Sequence, residues 1–177
     1  MTEIRTPRLR LRRWYDSDLA ALADLHTDPR VMRWVDDGAL LDLDGTAEAI
    51  ERWEEEWDDE GFGVFAVELL ASGELAGAVG LFVPAFLPET RHEVAIGWRL
   101  GSQFWGQGYA SEAAQATLEF ALQDRGLERV VAVIRVGDTA SENVARKLGM
   151  ALEREVQHPE HGYPLQIHSI DLTEYQG

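Results

Sequence analysis

Short apolar runs, bounded by turn residues, follow one another along the chain and predict a sheet. In the first run Leu9 and Leu11 alternate with arginines, as in a strand that exposes one face. Residues 152–170 carry spaced apolar side chains and predict two further strands. Longer apolar runs predict buried strands over residues 62–69, 74–82, 92–100 and 129–135.

Between these runs, apolar residues spaced three or four apart predict helices. Asp16 is predicted to cap the first helix, which is expected to end before the Asp-Pro pair that follows it. The other predicted helices cover residues 46–59, 111–121 and 139–148. Since no linker, repeat or low-complexity segment interrupts the chain, the pattern predicts one α+β domain over residues 1–177.

Charge and composition exclude several classes of protein. A formal net charge of −16 argues against general nucleic-acid binding, because contacts to phosphates need a basic face. No apolar run approaches the ~20 residues that span a bilayer, and the first residues lack the pattern of a signal peptide. The chain has no cysteine, so disulfides and thiolate metal sites are excluded and no metal site is predicted. We expect a cytoplasmic protein that binds neither nucleic acid nor membrane.

The stretch Trp105-Gly106-Gln107-Gly108-Tyr109-Ala110 connects a predicted buried strand with an alanine-rich helix. A helix N-terminus presents backbone N–H groups without intrahelical partners, and these groups attract anions. Glycine lets a phosphate approach the backbone without a Cβ in the way. The residues alone leave two readings open, which are an anion-binding turn and a plain connection in which glycine only makes the turn.

Several phrases of the chain resemble the GNAT N-acetyltransferases. They are Ile96-Gly97-Trp98-Arg99-Leu100, the stretch from Trp105 to Ala113, and Lys147-Leu148-Gly149-Met150. The opening Thr6-Pro7-Arg8-Leu9-Arg10-Leu11-Arg12 resembles the RimJ/RimL-like branch, named for ribosomal-protein N-terminal acetylation. The resemblance implies a mixed, mostly antiparallel sheet of six to seven strands flanked by about four helices. In that fold the strand that ends at Leu100 splays away from its neighbour.

The resemblance also implies acetyl-CoA as cofactor, with its pyrophosphate on the glycine turn and its pantetheine arm along the splayed strand. The reaction it implies is direct acetyl transfer to a primary amine, on a protein N-terminus or a cationic small molecule. The cofactor-binding residues that it implies are Trp98, Arg99, Leu100, Trp105, Gly106, Gln107, Gly108, Tyr109, Ala110, Ser111 and Asp138.

Three positions depart from the pattern of the family. Asp138 stands where members often have asparagine, Ala145 where others have a tyrosine acid, and Ala95 where many have glutamate. These departures motivate an alternative function, a CoA-binding or regulatory module that has lost catalysis. The remaining candidates for proton transfer are Glu93, Ser141 and His168. Each has a structural alternative, as a strand-end carboxylate, a local helix cap and a packed histidine respectively.

An acidic stretch bears on the acceptor amine. Residues 36–60 contain twelve acidic residues and one basic residue, Arg52. Since the acidic helix over residues 51–60 lies in the region that forms the acceptor pocket in the family, the resemblance predicts a cationic acceptor, such as a polyamine, an aminoglycoside or a basic peptide. A solvated helix face is the alternative. Exposed tryptophans or an exchanged C-terminal strand would allow a homodimer.

Overall fold

Eight strands form one mixed sheet in the computed structural model, which describes residues 2–175. Strands β5 and β6 are parallel, and every other neighbouring pair is antiparallel. From one edge of the sheet to the other, the strands are β1 (Ile4–Arg5), β2 (Leu9–Arg12), β3 (Val64–Leu69), β4 (Leu75–Phe82), β5 (Ala95–Leu100), β6 (Arg129–Arg135), β8 (Pro164–Asp171) and β7 (Ala151–Gln157).

Five α-helices accompany the sheet. They are α1 (Leu19–His26), α2 (Pro29–Met32), α3 (Leu43–Glu60), α4 (Tyr109–Gln123) and α5 (Thr139–Lys147). The predicted α+β fold is confirmed, with one strand and one helix more than expected. The additional elements are the two-residue β1 and the four-residue α2, which are too short to produce a periodic pattern. Among residues 2–175 no helix is both long and apolar enough to cross a bilayer.

The predicted cap of the first helix is wrong. Asp16 begins a 3₁₀ turn that ends at Asp18, and α1 starts only at Leu19. The Asp18 carboxylate accepts two hydrogen bonds from the buried guanidinium of Arg12, at 2.8 and 2.9 Å. This carboxylate also accepts from the backbone N–H of Tyr15 at 2.7 Å. A buried ion pair therefore fixes the start of this region.

Side-chain caps set the next two helix boundaries. Helix α1 ends at His26, before the Asp28-Pro29 pair as predicted, and Pro29 opens α2, in the first-turn position where its missing N–H costs nothing. Asp28 caps that helix by accepting from the backbone N–H of Arg30 at 2.9 Å. Helix α3 starts three residues earlier than predicted because Asp42 accepts from the backbone N–H of Gly45 at 2.8 Å.

The two faces of the sheet pack against different helices. Alternate strand residues point to opposite faces, as Phe65 and Val64 illustrate. Phe65 belongs to the apolar cluster with α4 and α5, and Val64 to the cluster with α1, α2 and part of α3. We name these the α4 face and the α1 face. The candidate site lies where β5 and β6 part, between these two faces.

Candidate active site

A cleft of about 1060 Å³ opens where β5 and β6 part. The two parallel strands pair at one register, Ala95 opposite Val131, and the N–H of Val131 donates to the carbonyl of Val94 at 2.9 Å. Backbone groups alternate in direction along a strand, so the N–H and C=O of Trp98 face β6 as those of Val94 do. At Trp98 the strands have already diverged, which leaves both groups exposed to the cleft. The splayed strand pair is confirmed.

The glycine turn forms one end of this cleft. Gly106 and Gly108 have φ values of +75° and +80°, in the left-handed region that glycine adopts without strain. Gly108 precedes α4, and no side chain caps the helix. The first backbone N–H of the helix region with a partner is that of Glu112, which donates to the carbonyl of Gly108 at 3.1 Å. The N–H groups of residues 109–111 are therefore available to an anion.

Arg8, from near the N-terminus, and Glu112, in the first turn of α4, hold the glycine turn. The Arg8 guanidinium donates to the Gln107 carbonyl at 2.8 Å and to Glu112 at 2.7 Å, and it lies 4.3 Å from the Tyr109 ring centroid. Although burial opposes it, hydrogen bonds from Thr6 and Arg8 lower the pKa of Glu112. Sequence reasoning missed Arg8 and Glu112 as functional positions, and the only signal was the Thr-Pro-Arg phrase near the N-terminus.

Trp105 closes the turn on its other side. Its indole N–H donates to the carbonyl of Leu100 at 3.0 Å, which ties the turn to the last residue of β5. Gln107 is turned away, with its side-chain amide donating to the Gln103 carbonyl at 3.4 Å. All the predicted cofactor-binding residues except Gln107 line the cleft, namely Trp98, Arg99, Leu100, Trp105, Gly106, Gly108, Tyr109, Ala110, Ser111 and Asp138.

Ser141 is the one candidate for proton transfer that lines the cleft. Its hydroxyl oxygen accepts a hydrogen bond from the indole N–H of Trp98 at 3.1 Å, across the gap between β5 and α5. The cap of α5 is Asp138, which accepts from the backbone N–H of Ser141 at 3.2 Å. The Ser141 hydroxyl hydrogen is therefore free to donate into the cleft. Ala145 is fully buried in the core and does not reach it.

The structure does not bring Glu93 and His168 to the cleft. Glu93 pairs with Arg129 at 3.1 Å, and Arg129 also binds Glu153 at 2.7 Å. His168 lies on β8, where its Nε2 is 2.9 Å from the side-chain oxygen of Gln166, and burial lowers the pKa of its imidazole. Both side chains have structural partners.

Residues 33–36, which follow α2, cover the other end of the cleft, and we name them the covering segment. Trp34 packs over Gly137, and a Cβ on that glycine would lie 2.9 Å from the Trp34 ring. The Arg135 guanidinium donates to the Asp36 carbonyl at 3.2 Å and lies 4.0 Å from the Tyr163 ring centroid. These contacts join the covering segment to the C-terminal end of β6.

The charges in the cleft differ from those expected. The predicted acceptor region on α3 contributes no residue to the lining, because its side chains are directed elsewhere. Glu54 and Asp58 pair with Arg13, and Glu56 accepts from the backbone N–H of Val83 at 3.2 Å. Among the described residues, the charged side chains that line the cleft are Asp138 against Arg30, Arg33, Arg99, Arg135 and Lys147.

Arg99 is held from the α1 face by two buried polar side chains. Its Nη1 lies 2.8 Å from Nε2 of His26, and Nδ1 of His26 lies 2.9 Å from the hydroxyl of Thr46. Burial lowers the pKa of His26 to about 4, and the charge of Arg99 acts in the same direction. The imidazole is therefore neutral near pH 7. Its Nε2 accepts from Arg99 and its Nδ1–H donates to Thr46.

This network predicts a loss of stability in mild acid. The unfolded chain protonates His26 below its ordinary pKa of about 6.5, whereas the folded chain does so only near 4. The free energy of unfolding should therefore fall between pH 6.5 and 4, by up to about 3 kcal/mol. Denaturant unfolding at several pH values measures the slope, and His26→Gln should flatten it. Equal slopes for both proteins would contradict the assignment.

Comparison with known proteins gives concordant results. Residues 8–151 match the family model described as acetyltransferase (GNAT) domain. The uncharacterized N-acetyltransferase YnaD of Bacillus subtilis (strain 168) is 29% identical over 150 residues, which cover 85% of this chain and 83% of YnaD. The crystal structure of a GNAT-family acetyltransferase from Bacillus anthracis superposes with a TM-score of 0.81 at 25% identity, over 98% of this chain and 100% of the other.

The fold is also that of RimL, a ribosomal L7/L12 alpha-N-protein acetyltransferase whose structure was solved in complex with coenzyme A. The TM-score is 0.80 at 21% identity, over 96% of this chain and 98% of RimL. At this identity the likeness concerns the fold.

Proposed function

The chain belongs to the GNAT acetyltransferase family, and on that basis we propose that it transfers the acetyl group of acetyl-CoA to a primary amine. The proposal treats residues 1–177 as one acetyltransferase domain. The observation that carries it is the row of free backbone N–H groups at residues 109–111, placed at the end of a gap between two splayed strands.

The described residues fit the cofactor that the family uses. The left-handed glycines at 106 and 108 leave the backbone open, and the N–H groups of residues 109–111 would hold a pyrophosphate. The exposed backbone N–H and C=O of Trp98 match the needs of the pantetheine amides. When bound, acetyl-CoA supplies the acetyl group as an activated thioester. Asp138 could accept a hydrogen bond at the same gap but could not donate one when ionised.

The residues of the chain suit an amine that loses its proton easily. Within residues 2–175, neither a glutamate nor a histidine lines the cleft, and its one carboxylate, Asp138, caps α5. An α-amine with a pKa of ~7.7–8.0 is about a tenth neutral at pH 7, whereas a lysine amine with a pKa of ~10.4 is almost wholly protonated. The first kind of amine needs far less help from a base.

We assign to the hydroxyl of Ser141 the hydrogen bond to the departing thiolate, to which it would relay the proton that the attacking amine gives up. Trp98 fixes the Ser141 oxygen by donating to it, and the hydroxyl hydrogen can still be donated to a group in the cleft. Glu93 and His168 stay predictions for a catalytic role, and neither lines the cleft. A cationic acceptor and a homodimer also stay predictions.

Ser141→Ala should lower kcat about tenfold and leave the KM for acetyl-CoA nearly unchanged, because general acid catalysis acts in the transition state. Steady-state thiol release measures both constants. Ser72→Ala, in an exposed turn, is the control and should retain the kinetics of the parent. An unchanged kcat for Ser141→Ala would remove this residue from the mechanism.

The proposed function is tested by thiol release from acetyl-CoA with a panel of primary amines. Turnover with at least one amine, and N-acetylation of that amine by mass spectrometry, is the expected result. Tight acetyl-CoA binding without turnover on any amine would favour the alternative function, a CoA-binding module that has lost catalysis.

A further inference from the structure

We propose that the acceptor is an α-amino acid or a close analogue, and that Arg99 binds its carboxylate while the neighbouring amine is acetylated. This inference rests on the proposed function and names the class of its acceptor. Arg33 and Arg135 line the same end of the cleft and add to its positive charge. We name these three residues the arginine cluster.

Arg99 points away from the glycine turn. Its neighbour Trp98 packs in the cluster of the α4 face, so the next side chain along the strand is directed to the α1 face. The contact between Arg99 and His26 of α1 agrees with this direction. The glycine turn leads into α4 on the other side of the sheet. An anion bound by Arg99 would therefore not be a phosphate held at that turn, and the pantetheine arm carries no charge.

Arg99 lacks an anionic partner. Among residues 2–175 no carboxylate oxygen lies within 4.0 Å of its guanidinium, and its side-chain hydrogen bond goes to a neutral imidazole. Burial lowers the pKa of Arg99, although Asp36 acts in the opposite direction. A half-buried cation without a counter-ion is costly, and a bidentate carboxylate is the ligand that best matches a guanidinium.

Thr46 and His26 prepare Arg99 for such a ligand. The imidazole of His26 is fixed by Thr46 at 2.9 Å and holds Nη1 of Arg99 at 2.8 Å. A guanidinium has five N–H donors, so the donors that His26 does not occupy remain for a bound carboxylate. Because the side chain is already ordered, binding would cost little conformational entropy.

Arg33 and Arg135, the other two members of the arginine cluster, also lack a carboxylate partner. The Arg33 guanidinium lies 4.8 Å from the Trp34 ring centroid, and Arg135 donates to backbone carbonyls of Arg33 and Asp36 at 3.4 and 3.2 Å. Neither has a carboxylate within 4.0 Å among the described residues. In a chain with a net charge of −16, this local excess of cations is the opposite of what composition would produce.

The shape of the cleft favours a small acceptor. The covering segment closes over this end through the contact of Trp34 with Gly137 and the hydrogen bond from Arg135 to Asp36. The volume of about 1060 Å³ must also accept a pantetheine arm, so only part of it is open to the acceptor. An α-amino acid places its amine one carbon from its carboxylate, so one ion pair would bring the nucleophile into the gap. The ion pair would also neutralise the carboxylate charge that raises the pKa of this amine.

The test compares matched acceptors in thiol release from acetyl-CoA. Each α-amino acid of a panel is paired with its amide, which has the same side chain and no carboxylate. We expect the acid to be preferred in kcat/KM, although the amide has the more easily deprotonated amine. Arg99→Gln should reduce this preference about tenfold, as expected for one charged hydrogen-bonding partner.

Arg91→Gln is the matched control, since Arg91 is exposed and does not line the cleft. It should retain the preference of the parent. If Arg99→Gln does not fold, Arg135→Gln and the comparison of acids with amides on the parent protein decide the question. Amides, polyamines or N-terminal peptides acetylated as well as or better than amino acids would overturn the inference and leave the proposed function standing. If none of the amines gave thiol release, both the inference and the proposed function would be overturned.

Discussion

Replacement of Gly108 by valine should weaken acetyl-CoA binding about a hundredfold. Gly108 has a φ of +80°, a conformation that a β-branched residue adopts only with strain. Relief of this strain would move the N–H groups of residues 109–111, and each charge-assisted hydrogen bond to phosphate is worth about 1.5–3 kcal/mol. A Cβ at this position meets only the end of the flexible Arg8 side chain, at 3.4 Å, so the fold should survive. Titration calorimetry with acetyl-CoA measures the change.

Gly126→Val is a matched control for that experiment. Gly126 follows the other end of α4, has a φ of +65°, and has no atom within 4 Å of the place a Cβ would occupy. Both variants should lose about 1–2 kcal/mol of unfolding free energy from backbone strain. Only Gly108→Val should lose affinity for the cofactor. Equal affinities in the two variants would mean that the glycine turn does not bind acetyl-CoA.

Replacement of Gly77 by alanine should destabilise the fold by about 4 kcal/mol or more. Gly77 lies on β4 opposite Leu100, and a Cβ there would be 2.1 Å from the Arg99 carbonyl oxygen and 2.8 Å from the Leu100 Cα. Both contacts are with backbone, so the strand that lines the cleft must move as a whole. Substitutions whose steric clash displaces a central strand are among those that lower the free energy of unfolding most. Denaturant unfolding measures the loss.

Gly97→Ala, on the adjacent strand, separates steric clash from the general cost of replacing a glycine. Its Cβ would meet the ring edge of Phe82 at 3.0 Å, and a side chain can shift where a backbone cannot. We expect a loss within about 1 kcal/mol. If Gly77→Ala lost no more unfolding free energy than Gly97→Ala, the close approach of β4 and β5 would not be the reason for glycine at position 77.

The features that were predicted well are local in the chain. The glycine turn and its helix form one continuous stretch, so the motif indicated the geometry of that end of the cleft. The apolar runs predicted the positions of the main strands, because each buried strand carries its own periodicity. Resemblance to the family supplied the splay of β5 from β6, which no local pattern encodes. The family itself is confirmed by the domain match.

The features that were missed depend on contacts between distant residues. Arg8 meets the glycine turn about one hundred residues away, and apart from the Thr-Pro-Arg phrase nothing in its own neighbourhood indicates that contact. The contacts of Arg99 with His26, and of His26 with Thr46, join three separate elements. The acidic composition of α3 suggested a cationic acceptor, but composition does not tell which way a helix presents its carboxylates. The charge of the cleft could be obtained only from the folded arrangement.

A crystal structure of the protein with coenzyme A tests the central claim most directly. The proposal predicts the pyrophosphate oxygens at about 2.9 Å from backbone nitrogens of residues 109–111. It also predicts pantetheine amides hydrogen-bonded to the free backbone of Trp98. Coenzyme A bound elsewhere on the molecule, or with its pyrophosphate away from the N-terminus of α4, would contradict the claim.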